Sequence, residues 1–196
     1  MDNPKFFGKV ALLLFAVLLL SSCVYNRLPY APNSGNALDY TPNDPDGDGD
    51  NKGYNYFPLN DNTFGRRVFI FDPNYSAWAF YDENGYRVNT GRASGGKLYC
   101  PDVARACKTI SGTFRVIAKG DADCISSKYP LETNGGAPMP YCMHFSPKGY
   151  AIHGSDDVPD YNASHGCIRL TPTAAQWLNI NHMTVGTKVI VLPYHH

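Results

Sequence analysis

From Arg66 onward the chain is written in short apolar runs, rich in β-branched and aromatic residues and cut by Gly, Asn and Asp. Such a pattern accommodates strands and almost no helix. Val68 to Phe71 and Ala77 to Tyr81 predict strands, Glu83-Asn84-Gly85 a hairpin turn, and Tyr86 to Val88 the return strand. Phe114 to Ala118, Tyr141 to Phe145, Tyr150 to His153 and Lys188 to Leu192 extend the series. One helix interrupts it, with Thr171 as N-cap, Pro172 at the first helical position, Ala174, Ala175, Gln176, Trp177 and Leu178 following, and a stop near Asn181. The expected fold is mainly β with a short helix packed on it and no internal repeat. Fourteen Tyr, ten Phe and two Trp in 196 residues supply enough apolar mass for a core, which excludes a wholly disordered chain.

The stretch from Val24 to Thr63 is different. It is rich in Asn, Pro, Gly and Asp and shows neither apolar period, so it reads as a flexible tether, acidic because only Arg27 and Lys52 stand against its Asp residues. Within it, Asp46-Gly47-Asp48-Gly49-Asp50-Asn51 is similar to the start of a calcium loop, in which alternating carboxylates surround a hard cation. Asn51 occupies the sixth position, where such a loop needs Gly, and Phe57 the twelfth, where it needs a bidentate acid. A solvated acidic linker is therefore preferred, with calcium binding left open.

Ahead of the tether, Lys5 and Lys9 precede an unbroken apolar run from Val10 to Leu20. A membrane span needs ~20 apolar residues, so this shorter run reads as the core of a secretory signal. Leu20-Ser21-Ser22-Cys23 resembles the lipobox of bacterial lipoproteins, in which cleavage leaves Cys23 as a lipidated N-terminus. Several acyl chains on one residue anchor stably, at ~0.8 kcal/mol per buried CH₂. Val24, where an Asp would retain a lipoprotein at the inner membrane of a Gram-negative bacterium, favours the outer one by the same resemblance. The expected organisation is a signal peptide over 1–22, lipidated Cys23 with its tether over 23–63, and a folded domain over 64–196, lipid-anchored in the periplasm.

The formal net charge is zero, and the basic residues of 64–196 are scattered among acids, which excludes the basic stripe of a nucleic-acid binder. With Cys23 set aside, five cysteines remain, an odd number for an oxidising compartment. Two disulfides among Cys100, Cys107, Cys124 and Cys142 allow three pairings. Cys100 with Cys107 and Cys124 with Cys142 are preferred because each closes a short loop, leaving Cys167 free.

Cys167 lies in Asn162-Ala163-Ser164-His165-Gly166-Cys167-Ile168-Arg169-Leu170, just before the helix, and His153 ends the apolar run Tyr150-Ala151-Ile152 and is followed by Gly154. A thiol near a helix's positive end and an imidazole is expected to ionise readily, and paired with a base it becomes the nucleophile of an acyl-transfer enzyme. Two other readings use the same residues. His153, His165 and Cys167 are all zinc-ligand types, although only three converge and His-Gly-Cys crowds two of them. A buried, inert thiol beside core histidines is the third.

Ser164-His165-Gly166-Cys167-Ile168-Arg169-Leu170, with His153-Gly154 upstream, closely resembles the signature of the L,D-transpeptidase catalytic domain, also called YkuD-like. Thr109-Ile110-Ser111-Gly112-Thr113-Phe114-Arg115 resembles the family's Thr-Pro-x-Gly-x-Phe segment, with Ile110 in the place of Pro. Met139-Pro140-Tyr141 and Val185-Gly186-Thr187-Lys188-Val189 are similar to two further stretches, so the likeness covers about residues 66 to 193. Between His153 and Ser164 the chain is shorter than in many members, which leaves the second substrate open.

The resemblance implies a compact β-sandwich or barrel-like domain with the short α-helix after the catalytic Cys. It makes Cys167 the nucleophile and His153 its general base, with the Gly154 carbonyl orienting the imidazole. Ser164 and His165 would fix the nucleophile's neighbourhood, and the Gly166 and Cys167 amides would receive the oxyanion. Arg169 would pair with a substrate carboxylate, and Tyr141 would either wall the pocket or belong to the core. His144, His182, His195 and His196 receive no role. The implied partner is the peptidoglycan stem peptide, attacked by a monomer without metal or organic cofactor. The acyl acceptor, whether a stem amine, a lysine of a wall-attached protein or water, stays open. Hydrolysis by an L,D-carboxypeptidase or amidase, and a non-catalytic peptidoglycan-binding lipoprotein, are the alternatives.

Overall fold

In a computed structural model that describes residues 52–195, the apolar runs form two sheets facing each other across one core. The signal run, Cys23 and the Asp46–Asn51 segment lie outside the described residues. β1 (Val68–Asp72), β2 (Ala77–Tyr81) and β3 (Arg87–Arg92) make an antiparallel meander. β9 (Lys188–Val191) adds in parallel to β1, and β4 (Gly112–Arg115) pairs antiparallel with β9, giving the order β3-β2-β1-β9-β4. The second sheet has the order β5-β6-β7-β8, from β5 (Ala118–Lys119), β6 (Met143–His144), β7 (Ala151–Gly154) and β8 (Ile168–Leu170). β7 and β8 run parallel, with Ile152 opposite Ile168 and His153 opposite Arg169.

The expected strand Phe114 to Ala118 is divided between the sheets. The Val116 amide still donates to Thr187 beside β9, whereas the Ile117 amide donates to the His144 carbonyl of the other sheet. Buried Val116 is the corner. Phe69, Phe71, Trp78, Phe80, Val189 and Val191 pack from the first sheet against Met143, Ile152, Ile168 and Leu170 of the second. The helix α1 (Pro172–Trp177) closes the core with Ala174 and Ala175. The Thr171 side chain accepts from the Ala174 amide at 3.3 Å, the N-cap bond its sequence predicts, and the chain continues as one wider turn through Leu178–His182.

The end of the expected tether is not free chain. β1 and β2 are buried at every position, so their second face, Val68, Ile70, Ala77, Ala79 and Tyr81, also needs a cover. Phe57, 2% exposed, supplies it, with Tyr56 and Leu192 alongside. Tyr81 Oη donates to the Pro58 carbonyl at 2.8 Å, Arg87 Nη1 to that of Tyr54 at 2.6 Å, and Tyr56 Oη bonds the Asp72 carboxylate. Residues from Lys52 to Thr63 are thus docked on the domain, where Phe57 and Tyr56 cover an apolar sheet face that would otherwise meet water.

Candidate active site

Three adjacent strands set the site. In β7 and β8 the side chains of Ile152, Ile168 and Leu170 enter the core, so the residues alternating with them project from the opposite face. The register places Ala151 and His153 of β7 on that face beside Cys167 and Arg169 of the next strand. His144 of β6, opposite Ala151, joins them while its neighbour Met143 enters the core. Cys167 and His153 are therefore placed on one face by two strands that follow each other in sequence, and His144 is a site neighbour that alternation alone could not orient.

His153 is 6% exposed, and its Nδ1 lies 2.8 Å from the Gly154 carbonyl oxygen. A carbonyl only accepts, so Nδ1 carries the proton and Nε2 keeps its lone pair. Burial lowers the imidazole to about 4; the Gly154 bond opposes that, while Arg169 and His144 add to it. The ring is a neutral base across the physiological range. Gly154 must be glycine for close approach: a Cβ there would lie 3.0 Å from Pro172 Cα and 3.1 Å from Pro140 Cγ, and its amide donates to the Pro140 carbonyl at 2.8 Å.

Cys167 is the free cysteine among the described residues, because Cys100 pairs with Cys107 and Cys124 with Cys142. It packs in a small cluster with Met139, Cys142, Ala151 and Cys124. Burial pushes its thiol up, with the Ala151 amide and the Arg169 charge pulling part of the way back. The thiol donates a long bond to the Gly149 carbonyl at 3.8 Å. This corrects the expectation of a thiol already ionised by the helix end. β8 intervenes between Cys167 and the N-cap at Thr171, so closeness in sequence does not put the sulfur at the helix terminus.

Ser164 Oγ accepts from the Gly166 amide at 3.0 Å and donates to the Cys167 carbonyl at 2.5 Å, so it braces the turn before Cys167. The Gly166 amide is thereby engaged, which removes it from the expected oxyanion pair; of the two, the Cys167 amide remains. Gly166 has φ +133°, and a Cβ would meet the Tyr150 ring at 2.8 Å, so no other residue fits the turn. His165 does not face a metal set with His153 and Cys167: its Nε2 lies 2.7 Å from Asp102 Oδ2, and its ring packs against Tyr129. Among the described residues, the two groups that bring three ligand atoms together are Cys124, Cys142, His144 and Cys100, Asp102, His165, and each includes sulfur already spent in a disulfide.

Arg169 Nη1 pairs with Asp157 Oδ2 at 2.6 Å, so an incoming carboxylate would compete with Asp157 for the guanidinium. Tyr141 is half-buried against the main core and its carbonyl accepts from Asn179 Nδ2 at 3.1 Å, which favours the core over a pocket wall. Asp102, Tyr129 and Asp157 are the contacts the motif does not announce, since each comes from a loop distant in sequence from its partner or separated from it by a turn.

The YkuD family, described as the L,D-transpeptidase catalytic domain, matches residues 65–191, more than half of the chain. The solved L,D-transpeptidase from Xylanimonas cellulosilytica is 28% identical with a TM-score of 0.57, over 69% of this chain and 64% of that one. An L,D-transpeptidase from Mycobacterium smegmatis is 24% identical with a TM-score of 0.54, over 65% and 59% of the two chains. L,D-transpeptidase 3 from Mycobacterium tuberculosis, solved with a faropenem-derived adduct, is 21% identical with a TM-score of 0.53, over 65% and 61%. The last two likenesses concern the fold alone. The chain spans about three fifths of the length of these structures. No curated protein matches it.

Proposed function

The chain belongs to the L,D-transpeptidase catalytic domain family, and from that premise we propose that it is a cysteine acyltransferase acting on peptidoglycan stem peptides. The observation that carries this reading is a neutral His153, its Nδ1 proton held by the Gly154 carbonyl, on the same sheet face as the free thiol of Cys167. As the sulfur attacks the carbonyl between the third-position diamino acid and the fourth-position D-alanine, its proton passes to His153 Nε2 and then to the departing D-alanine amine. The thioacyl-enzyme is resolved by a second amine, from a neighbouring stem to give a 3-to-3 cross-link or from a lysine of a wall-attached protein. The Cys167 amide is the donor available to the developing oxyanion. Arg169 binds a stem carboxylate once Asp157 gives way.

The Lys5 to Cys23 segment supports export and lipidation at Cys23, hence a periplasmic domain anchored at the outer membrane. Because residues 52–63 pack on the domain, any reach must come from the Asn-, Pro- and Asp-rich sequence that precedes them. If that sequence behaves as the flexible tether its composition suggests, its reach scales as ~5–6 Å times the square root of residue number.

The test is intact mass spectrometry after incubation with faropenem or a carbapenem, then with tetrapeptide muropeptides. An adduct lost in Cys167→Ser, together with dimeric muropeptides, is expected. Muropeptides that only shorten would instead mark a hydrolase, and no adduct with unchanged muropeptides a binding lipoprotein. Acyl mass on Cys23 in the N-terminal peptide checks the anchor.

A further inference from the structure

Ser164, His165, Gly166 and Cys167 form a turn whose two ends are fixed by backbone. At one end the Ser164 amide donates to Gly95 and the Lys97 amide to Ser164, each at 2.9 Å. At the other the chain enters β8. Between them, His165 is held through its side chain, and by residues from outside the motif. Asp102 Oδ2 lies 2.7 Å from His165 Nε2, from a position 63 residues away. Asp102 sits in the helical turn Pro101–Val103, inside the loop stapled by Cys100 and Cys107, whose two cysteines are both buried. The loop is closed again by the Cys100 amide donating to the Arg105 carbonyl at 2.9 Å. Its exposed carboxylate is thus carried on an anchored scaffold rather than on a free strand of chain. The His165 bond is the leading reason that carboxyl is held below its usual range.

A second stapled loop meets the same ring. Tyr129, within the Cys124–Cys142 loop, packs on His165 with ring centroids 4.6 Å apart. Arg105 Nη2 donates to Tyr129 Oη at 3.1 Å and ties the two loops together. His165 is gripped at its edge by Asp102 and on its face by Tyr129.

We propose that Asp102 is a positioning residue for Cys167: by holding His165 it fixes the turn that presents the sulfur, and the Cys100–Cys107 disulfide exists to hold Asp102 in place. This rests on Cys167 being the acylated nucleophile. Asp102 touches no reacting atom, so its removal acts on the rate of acylation and not on the identity of the nucleophile. Misplacing a reactive group by a fraction of an ångström to 1 Å costs about 10- to 100-fold in rate.

The test follows acylation of the full-length protein by p-nitrophenyl acetate, in which the Cys167 sulfur takes the acetyl carbon, p-nitrophenolate leaves and the thiol proton passes to His153. Asp102→Asn is expected to slow the nitrophenolate burst at least tenfold at saturating ester, with little change in half-saturation, and to shift the thermal midpoint by no more than about 4 °C, since the Asp102 carboxylate lies at the surface. Asp102→Glu, which restores the carboxylate, is expected to recover most of the rate. An Asp102→Asn burst equal to wild type overturns the proposal and leaves Cys167 the nucleophile. A rate lost in both variants along with a collapsed thermal midpoint marks a structural role and also overturns it. If wild-type Cys167 is not acylated at all, the functional reading fails and the proposal with it.

Discussion

Burial leaves both reacting groups of the site uncharged, His153 as free imidazole and Cys167 as thiol. A preformed thiolate and imidazolium would place two charges where water is scarce, at a cost their mutual attraction must repay. On the proposed mechanism proton transfer is then coupled to attack, and the placement of the His153 ring matters more than its basicity. Gly154 sets that precision through its carbonyl. Gly154→Ala sets a methyl 3.0 Å from Pro172 Cα and 3.1 Å from Pro140 Cγ, so the strand end or its neighbours must shift by a few tenths of an ångström. A shift taken up by the Gly154 backbone moves its carbonyl off the Nδ1 proton. The expected outcome is a fall of about 100-fold in Cys167 acylation by a carbapenem, with a stability loss of about 1–3 kcal/mol. Stopped-flow acylation and a thermal melt of the same sample check both. Cys167, His153 and Gly154 were legible as a group because their motif is local to two strand ends. Asp102 was not, because the contact with His165 spans two disulfide loops, and nothing in Pro101-Asp102-Val103 announces it.

At the scale of elements, legibility followed the length of the apolar run. β1 and β2 carry apolar runs of four and five residues and appear where the sequence predicts them, β1 running one residue further to Asp72. β8 is only Ile168–Leu170 and was hidden inside the catalytic motif, although it is the strand that separates Cys167 from the helix. The division of 112–119 between sheets is invisible to periodicity, which reports faces and not partners. VFIFD and AWAFY did carry one signal that reaches further. A strand with four or five successive apolar residues is covered on both faces, so something outside the sandwich had to lie on β1 and β2. The 52–63 segment lacks a period because it contributes a single large anchor, Phe57, and then backbone carbonyls to Tyr81 and Arg87. Phe57→Ala is expected to cost about 3–5 kcal/mol, as for a fully buried aromatic. Urea unfolding of the variant tests it, and a loss within about 0.5 kcal/mol would show that the segment is not part of the cooperative unit.

For the whole molecule, the two disulfides and the docked segment surround a core whose titratable members resist charging. Their effect on stability has a sign that can be worked out. His153 is lowered to about 4 in the fold and returns toward 6.5 on unfolding, so the unfolded chain binds more protons between those values. The stabilisation from keeping this ring neutral is complete above pH 6.5 and is lost as pH falls toward 4. His144 and His182 are lowered by burial as well and act in the same direction. Glu83, Asp102 and Asp160 are also lowered, each by hydrogen bonds or charges near the surface, and their contributions are lost only in the acid range of ordinary carboxylates and below. Cys167, raised by burial, weakens the fold at the other end, as pH climbs above the ordinary thiol range. The acid limb is the one a single substitution can isolate. Between pH 7 and pH 4 the wild type is expected to lose about 3 kcal/mol more stability than His153→Gln, the gap between the two imidazole values expressed as free energy. Urea unfolding of both proteins at pH 7, 5.5 and 4 measures it, and parallel losses would mean that His153 charges in the folded state without penalty and that its surroundings admit water.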